Sequence, residues 1–269
     1  MSPLINIITV IQARMGSSRL PGKVVMSLAG KPLIVRIVER IKRAKLCGVV
    51  VVAATNAPED DIIEDICKRE QIEIFRGDTY DLLDRHYRAG LKYNADVVVK
   101  IPSDCPLIDP MIVDKVLAYY VNNQDEFDFV SNLHPPTYPD GNDVEVVTME
   151  ALQKAWLFAK QDFEREHMTP YIWENPSQFR IGNVAWETGY NYSMTYRWTI
   201  DYEEDFIFIK SVYDELYAVN PAFGLYDILS LLERKPTLKN INNKYVGVNW
   251  YRNHLHQLKT ITANQTRVL

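Results

Sequence analysis

Few cysteines, no long apolar run and no excess of positive charge mark this sequence, and each absence removes a class of protein. Its 3 cysteines, Cys47, Cys67 and Cys105, are odd in number and unpaired in spacing. That excludes a disulfide framework or a CxxC metal site and fits a reducing compartment. No apolar run approaches the roughly 18 residues of a membrane span, and no charged stretch leading into a cleavable apolar one opens the chain. The expectation is a cytoplasmic protein that engages no membrane. With a net charge of -5 and a pI near 5.6, the chain also lacks the broad basic face that general nucleic-acid binding requires. Internal repeats and low-complexity tracts are absent as well.

One lack is local: no acidic residue occurs before Glu39. Within that stretch Gln12 to Lys23 read QARMGSSRLPGK, placing Arg14, Arg19 and Lys23 in a loop directly after the apolar run Ile5 to Ile11. The loop is not a Walker A element, since no GK[ST] closes a GxxxxG frame. Nor is it the GxGxxG dinucleotide fingerprint, because Gly16 and Gly22 are its only glycines. Two readings remain for it. It is an exposed turn, or the amides of Gly16, Ser17 and Ser18 form an anion nest with the three cations around it. Its position between a strand and a helix favours the nest.

What is present is an α/β pattern. Val49 to Ala53, Ile72 to Phe75, Val97 to Ile101 and Phe127 to Ser131 join Ile5 to Ile11 as short, β-branched runs, the signature of strands covered on both faces. Leu33, Ile34, Ile37, Val38 and Ile41 recur at helical spacing after Pro32, and Ile62, Ile63, Ile66 and Cys67 repeat the pattern. Cys67 reads as a core residue rather than a reactive thiol. The expected fold class is α/β, a mostly parallel twisted sheet flanked by helices, with ligand loops at the carboxyl ends of its strands.

The rhythm changes after about residue 132. A proline-rich connection, His134 to Gly141, leads to a strand (Asp143 to Val147), helices near Met149 to Lys160 and Phe163 to Trp173, and aromatic strand-like stretches up to Ile200. These suggest a smaller inserted subdomain at about 135–197 within a main domain of 1–235. Helices at Glu203 to Tyr217 and near Tyr226 to Glu233 return to the core, and 236–269 read as a loosely held tail. His167 reads as a helix-surface or interface residue rather than a catalytic one, His254 and His256 as no metal site, and the aromatics from Tyr171 to Trp198 as a dimer interface.

Two aspartates close strands: Asp104, after Val97 to Ile101, and Asp201, between Ile200 and the helix opening at Glu203. A hard cation such as Mg²⁺ takes one or two carboxylates plus substrate phosphates, so this pair beside a phosphate loop suffices for a metal site. Asp201 alone reads equally as a helix N-cap.

The loop, with Gly30-Lys31-Pro32-Leu33 after it, resembles the nucleotide-binding signature of the cytidylyltransferases that make CMP-activated acidic sugars, such as the CMP-KDO and CMP-neuraminate synthetases. Further blocks continue the resemblance in order: Arg76-Gly77-Asp78 through Leu82-Leu83-Asp84-Arg85, Ser103-Asp104-Cys105-Pro106-Leu107-Ile108-Asp109-Pro110, Gly141-Asn142-Asp143-Val144-Glu145-Val146, Arg165-Glu166-His167-Met168-Thr169-Pro170-Tyr171, and Trp198-Thr199-Ile200-Asp201-Tyr202. They resemble the branch typified by a spore coat polysaccharide synthesis protein, over about residues 5–235. The chain departs from that branch at Glu203, where a proline is usual, and at Pro102 before Ser103.

The resemblance implies a nucleotide-diphospho-sugar transferase (GT-A, Rossmann-like) fold and transfer of CMP from CTP to a sugar acid with Mg²⁺, releasing pyrophosphate for surface polysaccharide synthesis. It implies that Ala13, Arg14, Gly16, Ser17, Ser18, Arg19 and Lys23 hold the nucleotide, with Arg76, Gly77, Asp78 and Asp81 bordering the cytidine. Lys23, Arg14 and Asp104 are then the catalytic set, Asp104 and Asp201 the magnesium ligands, and Asp143, Glu145 and His167 the sugar contacts in a homodimer. A GT-A glycosyltransferase that consumes a nucleotide sugar, and a non-catalytic nucleotide-binding protein of the same fold, remain open as alternatives.

Overall fold

The first apolar run forms β1 (Ile7–Gln12), whose Ile8, Val10 and Ile11 are fully buried in the computed structural model, which describes residues 5–268. Residues 1–4, where the expected main domain begins, and residue 269, the end of the expected tail, lie outside the described residues. After β1 a short hairpin, β2 (Ser27–Leu28) and β3 (Lys31–Pro32), leads into α1 (Leu33–Ile41) and β4 (Val49–Thr55). The alternation continues through α2 (Asp61–Arg69), β5 (Glu73–Gly77), α3 (Leu82–Lys92), β6 (Val97–Pro102), α4 (Pro110–Asn122) and β7 (Phe129–Ser131). Then follow β8 (Glu145–Thr148), α5 (Met149–Phe158), α6 (Asp162–His167), α7 (Pro170–Trp173), β9 (Ile181–Asn183), α8 (Glu203–Leu216) and α9 (Leu225–Arg234).

Seven strands make one sheet in the order β5-β4-β1-β6-β8-β7-β9, parallel throughout except for β8, which runs antiparallel to both neighbours. The mostly parallel expectation therefore holds. Side chains alternate between two cores, as a period of two demands. Val50, Val52 and Ala54 of β4 belong to one core with residues of α1, α2 and α8, while Ala53 belongs to the other with residues of α3 and α5. Chain order then defines the site. From β1 the chain moves outward through β4 to β5 and returns to the other side of β1 as β6, so the order reverses between β1 and β6. Their parallel register pairs Gln12 with Pro102, and the loops beyond these two residues flank the crevice where open α/β sheets bind ligands.

Several local expectations change. The segment 135–197 supplies β8 and β9 to this same sheet. Its single expected helix from Phe163 breaks into α6 and α7, because Met168 adopts φ 72° and Pro170, at the first turn of α7, has no amide to continue the ladder. Of the expected aromatic strands only β9 forms. Trp173, Trp186 and Trp198 are core residues rather than an exposed interface set. In α2, Ile62 points outward while Ile63, Ile66 and Cys67 are buried, and burial pushes the Cys67 thiol up to about 12, out of reach of reactivity.

The C-terminal segment is not loose. Its Val248, Tyr251, Leu258 and Ile261 are buried, Glu174 accepts hydrogen bonds from the amides of Lys259 (2.6 Å) and Thr260 (2.9 Å), and Tyr245 stacks on Tyr202 at 3.8 Å. An asparagine- and lysine-rich composition concealed these anchors, which depend on single residues at irregular spacing. No helix among the described residues is long and apolar enough to cross a membrane.

One buried histidine couples this packing to pH. His86 on α3 is 0% exposed, and burial, with the charges of Lys100 and Arg85, drives it down to about 3 against the opposing pull of the Leu82 carbonyl. In the unfolded chain it titrates near 6.5. Between those values the unfolded state binds the extra proton, so acidification destabilises the fold, by at most about 1.4 kcal/mol per pH unit from this group. Urea unfolding at pH 6.5 and 5.5 should show wild type losing about 1 kcal/mol more than His86→Met over that interval. Equal losses in the two proteins would show that His86 takes up its proton in the fold as readily as in the unfolded chain.

Candidate active site

The loop after β1 is fixed at both ends by local chemistry. Met15 donates its amide to the buried carboxylate of Asp60 at 2.7 Å, and the Met15 carbonyl accepts from Ser17 and Gly22, each at 2.9 Å. Gly22 adopts φ 72°, a left-handed conformation that a side chain would strain, and this turn sends Lys23 into the protein. The anion nest is thereby altered from its expected form: Ser17 lines the cleft, but its amide is spent in the turn.

Lys23 is the centre of the arrangement. Its ammonium lies 3.4 Å from Asp104 and 3.6 Å from Asp201 and donates to the Ile200 carbonyl. The Ile200 amide in turn donates to the Asp104 carbonyl at 2.8 Å, tying the two aspartate loops together. Asp201 does not cap α8. Asp205 does so instead, accepting from the amides of Asp201 (2.9 Å) and Tyr202 (3.0 Å). The Asp201 carboxylate meets Arg19 at 2.5 Å and Arg197 at 3.0 Å. Burial acts to raise its pKa, but Lys23, Arg19 and Arg197 outweigh burial and hold it below the ordinary carboxylate value. Neither sequence departure disturbs this: Pro102 ends β6 and Glu203 opens α8.

These groups line a cleft of about 280 Å³ at the reversal point, with Gln12, Ala13, Arg14, Ser17, Ser18, Arg19 and Lys23 from β1 and its loop and with Ser103, Asp104 and Asp201 from the two aspartate loops. Gly16 is exposed on the loop outside that lining. Arg76, Gly77, Asp78 and Asp81, expected to border the cytidine, are not in that lining. Arg76 pairs with Asp61 (2.5 Å) and Glu64 (2.7 Å), Asp78 accepts from the amides of Tyr80 and Asp81, and Asp81 caps α3 and holds Arg165. The neighbouring Tyr80 and Leu82 are the residues that reach the lining.

Asp104 and Asp201 suit a hard divalent cation. Both carboxylates already converge on one positive group, and oxygen is the donor such ions take. Among the described residues no three or more His, Cys, Asp or Glu side chains are grouped to hold a metal unaided, so the remaining oxygens would be the substrate's.

The expected sugar contacts divide. Asp143 lines a second cavity of about 110 Å³ with Asp140, Tyr138, Ser193 and Met194. Burial and the neighbouring Asp104 and Glu145 charges push its carboxyl up to about 7. Glu145 lines neither cavity: it is buried against Lys100 at 2.5 Å and accepts from Thr169 at 2.5 Å. His167 is in the cleft wall rather than at the surface, stacked on Trp250 at 3.9 Å, and burial followed by nearby cations drives it down to about 3. It is therefore neutral near pH 7.

Sequence reasoning missed Arg85, on α3 facing the cleft, and the C-terminal residues Trp250, Asn253 and His254, which form one wall. Trp250 lines both cavities. Arg85 was visible within a resembling block. The C-terminal wall carried no local signal.

Residues 8–230 match the protein-family model described as cytidylyltransferase. An uncharacterized protein of Methanocaldococcus jannaschii is 36% identical over 238 residues, covering 88% of this chain and 95% of that protein. The spore coat polysaccharide biosynthesis protein SpsF of Bacillus subtilis is 29% identical over 236 residues, 86% of this chain and 95% of its own length. A 3-deoxy-manno-octulosonate cytidylyltransferase of Geobacter sulfurreducens is 33% identical over 120 residues, 44% of this chain and 46% of its own. The solved structure of a cytidylyltransferase from Leptospira borgpetersenii superposes with a TM-score of 0.82 at 33% identity, covering 88% of this chain and 97% of that one. The wall residues Trp250, Asn253 and His254 lie beyond the matched span. With the reversal-point cleft, the loop cations and the paired aspartates, these matches make the chain a member of the cytidylyltransferase family, a nucleotidyltransferase with the nucleotide-diphospho-sugar transferase fold.

Proposed function

We propose that the protein transfers CMP from CTP to an oxygen of an acidic sugar, releasing pyrophosphate, in surface polysaccharide synthesis. The observation that carries the reading is the position of Lys23, between Asp104 and Asp201 and on the same cleft as Arg14, Arg19 and Ser18. Arg14, Arg19 and Lys23 align the triphosphate and offset the charge that develops as the acceptor oxygen attacks the α-phosphorus and pyrophosphate leaves. No covalent enzyme intermediate is needed. Asp104 and Asp201 would hold Mg²⁺, which when bound neutralises phosphate charge.

The acceptor belongs beside Trp250, where the second cavity adjoins the cleft through residues of 135–197 and the C-terminal wall. Asp143, whose carboxyl burial and the neighbouring Asp104 and Glu145 charges push upward, can donate to a sugar hydroxyl when protonated and accept from one when ionised. Neutral His167 offers a hydrogen bond there. The 3-deoxy-manno-octulosonate relative supports a sugar acid, and SpsF supports the polysaccharide context. A cytoplasmic homodimer completes the reading, supported by three buried free thiols and by Tyr190 and Met194 exposed on 135–197; light scattering reads its mass.

The test is pyrophosphate release from CTP with Mg²⁺ across nonulosonic acids, KDO and other acidic or phosphorylated sugars, with UTP alongside. Release with CTP and a sugar acid is expected, and it should stop on chelation of the metal. Consumption of a nucleotide sugar without pyrophosphate would replace the reading with a glycosyltransferase, and CTP binding without turnover across the panel with a non-catalytic protein.

A further inference from the structure

The four cations that line the cleft are not equivalent. Arg19 and Lys23 are met by Asp201 and Asp104, whereas Arg14 and Arg85 form no ion pair among the described residues. Arg14 is exposed, but Arg85 is only 3% exposed. One Arg85 terminal nitrogen donates to the Ala53 carbonyl at 3.2 Å, and its Nε is buried with no partner. The nearest carboxylates are committed elsewhere: Asp60 to Met15 and Thr55, Asp78 to the amides after it, Asp81 to Arg165. Burial and the like charge of Arg14 press its pKa down to about 10, which leaves it a cation at neutral pH.

The surroundings are shaped to admit this side chain. Gly77 closes β5 with ordinary backbone angles, yet a Cβ there would come within 3.1 Å of Arg85 Cγ and 2.8 Å of the Phe75 ring. A buried guanidinium without a counter-charge destabilises a fold, and such strain is found where a ligand relieves it. Two unpaired guanidiniums on one cleft wall suit an anion that each can bind through paired hydrogen bonds.

We propose that Arg85 is a phosphate-binding residue, closing with Arg14 on the triphosphate of CTP. The inference rests on CTP as the nucleotide and extends the grip from the loop after β1 to α3. Titration calorimetry with CTP and Mg²⁺, and separately with cytidine, on wild type, Arg85→Met and Arg85→Lys tests it. Arg85→Met should bind CTP about tenfold to a hundredfold more weakly, the range expected for charge-assisted hydrogen bonds, while Arg85→Lys falls between. Cytidine affinity should stay within about twofold. The ligand-free melting temperature of Arg85→Met should equal or exceed that of wild type, since an uncompensated charge has left the interior; a merely structural arginine would lower it. Unchanged CTP affinity in Arg85→Met overturns the proposal, as does an equal loss for CTP and cytidine, which would mark a base or packing contact. Wild type that binds cytidine but not CTP would overturn the triphosphate reading of the cleft itself.

Discussion

Lys23→Met is expected to lower kcat/KM for CTP by about a hundredfold or more while leaving the protein folded. The ammonium is the one positive group placed between both cleft aspartates, at 3.4 and 3.6 Å. Losing one preorganised charge contact of this kind costs about 3 kcal/mol in the transition state. The fold should survive because Asp201 keeps Arg19 and Arg197, and the Asp104 side chain is 31% exposed and can be hydrated. Lys23→Arg should not restore the rate, because a planar fork cannot replace a compact ammonium held against the Ile200 carbonyl. Steady-state pyrophosphate release together with a melting curve separates the two effects. Wild-type turnover in Lys23→Met would remove the residue from the reaction.

Arg197→Met should produce the largest loss of stability, about 3–5 kcal/mol. Both Arg197 and Asp205 side chains are 0% exposed and pair at 2.9 Å. The same guanidinium reaches Asp201 at 3.0 Å and Asp140 at 3.6 Å and donates to the Val248 carbonyl at 2.6 Å. Burial opposes its charge, but Asp205, Asp140 and Asp201 raise its pKa well above the ordinary arginine value. Removing it strands the Asp205 carboxylate in the interior and releases the C-terminal wall at Val248. In a domain of this size the melting temperature should fall by roughly 10 °C. Arg197→Met combined with Asp205→Asn should recover part of the loss, because the stranded charge has gone. A single-variant loss under about 1 kcal/mol would contradict the account.

These two residues show what the sequence could and could not convey. Lys23 was legible because its loop is local: an apolar strand, a glycine turn and a cation are read from a dozen adjacent letters. The parallel sheet was legible for the same reason, since β-branched runs and helical spacing are short-range patterns. Asp104 and Asp201 could be named from their strand-end positions, but only folding brings loops about a hundred residues apart to a common ammonium. Arg197 gave no signal, because its role is set by four partners dispersed from Asp140 to Val248. Trp250, Asn253 and His254 were hidden in a polar segment whose anchors, Tyr245 on Tyr202 and Glu174 on Lys259, follow no periodicity. Glu145 shows the other limit: a carboxylate in a resembling block suggests a sugar contact, while its buried pairing with Lys100 is set by folding and carries no local signal.

The most direct measurement follows CTP labelled at the α-phosphorus through turnover with Mg²⁺ and a sugar acid. The account predicts that the label moves into a CMP ester of the sugar, with one pyrophosphate released for each ester formed. Label that stays in CTP while a sugar is transferred from a nucleotide donor, or that leaves as free CMP without an ester, would contradict it.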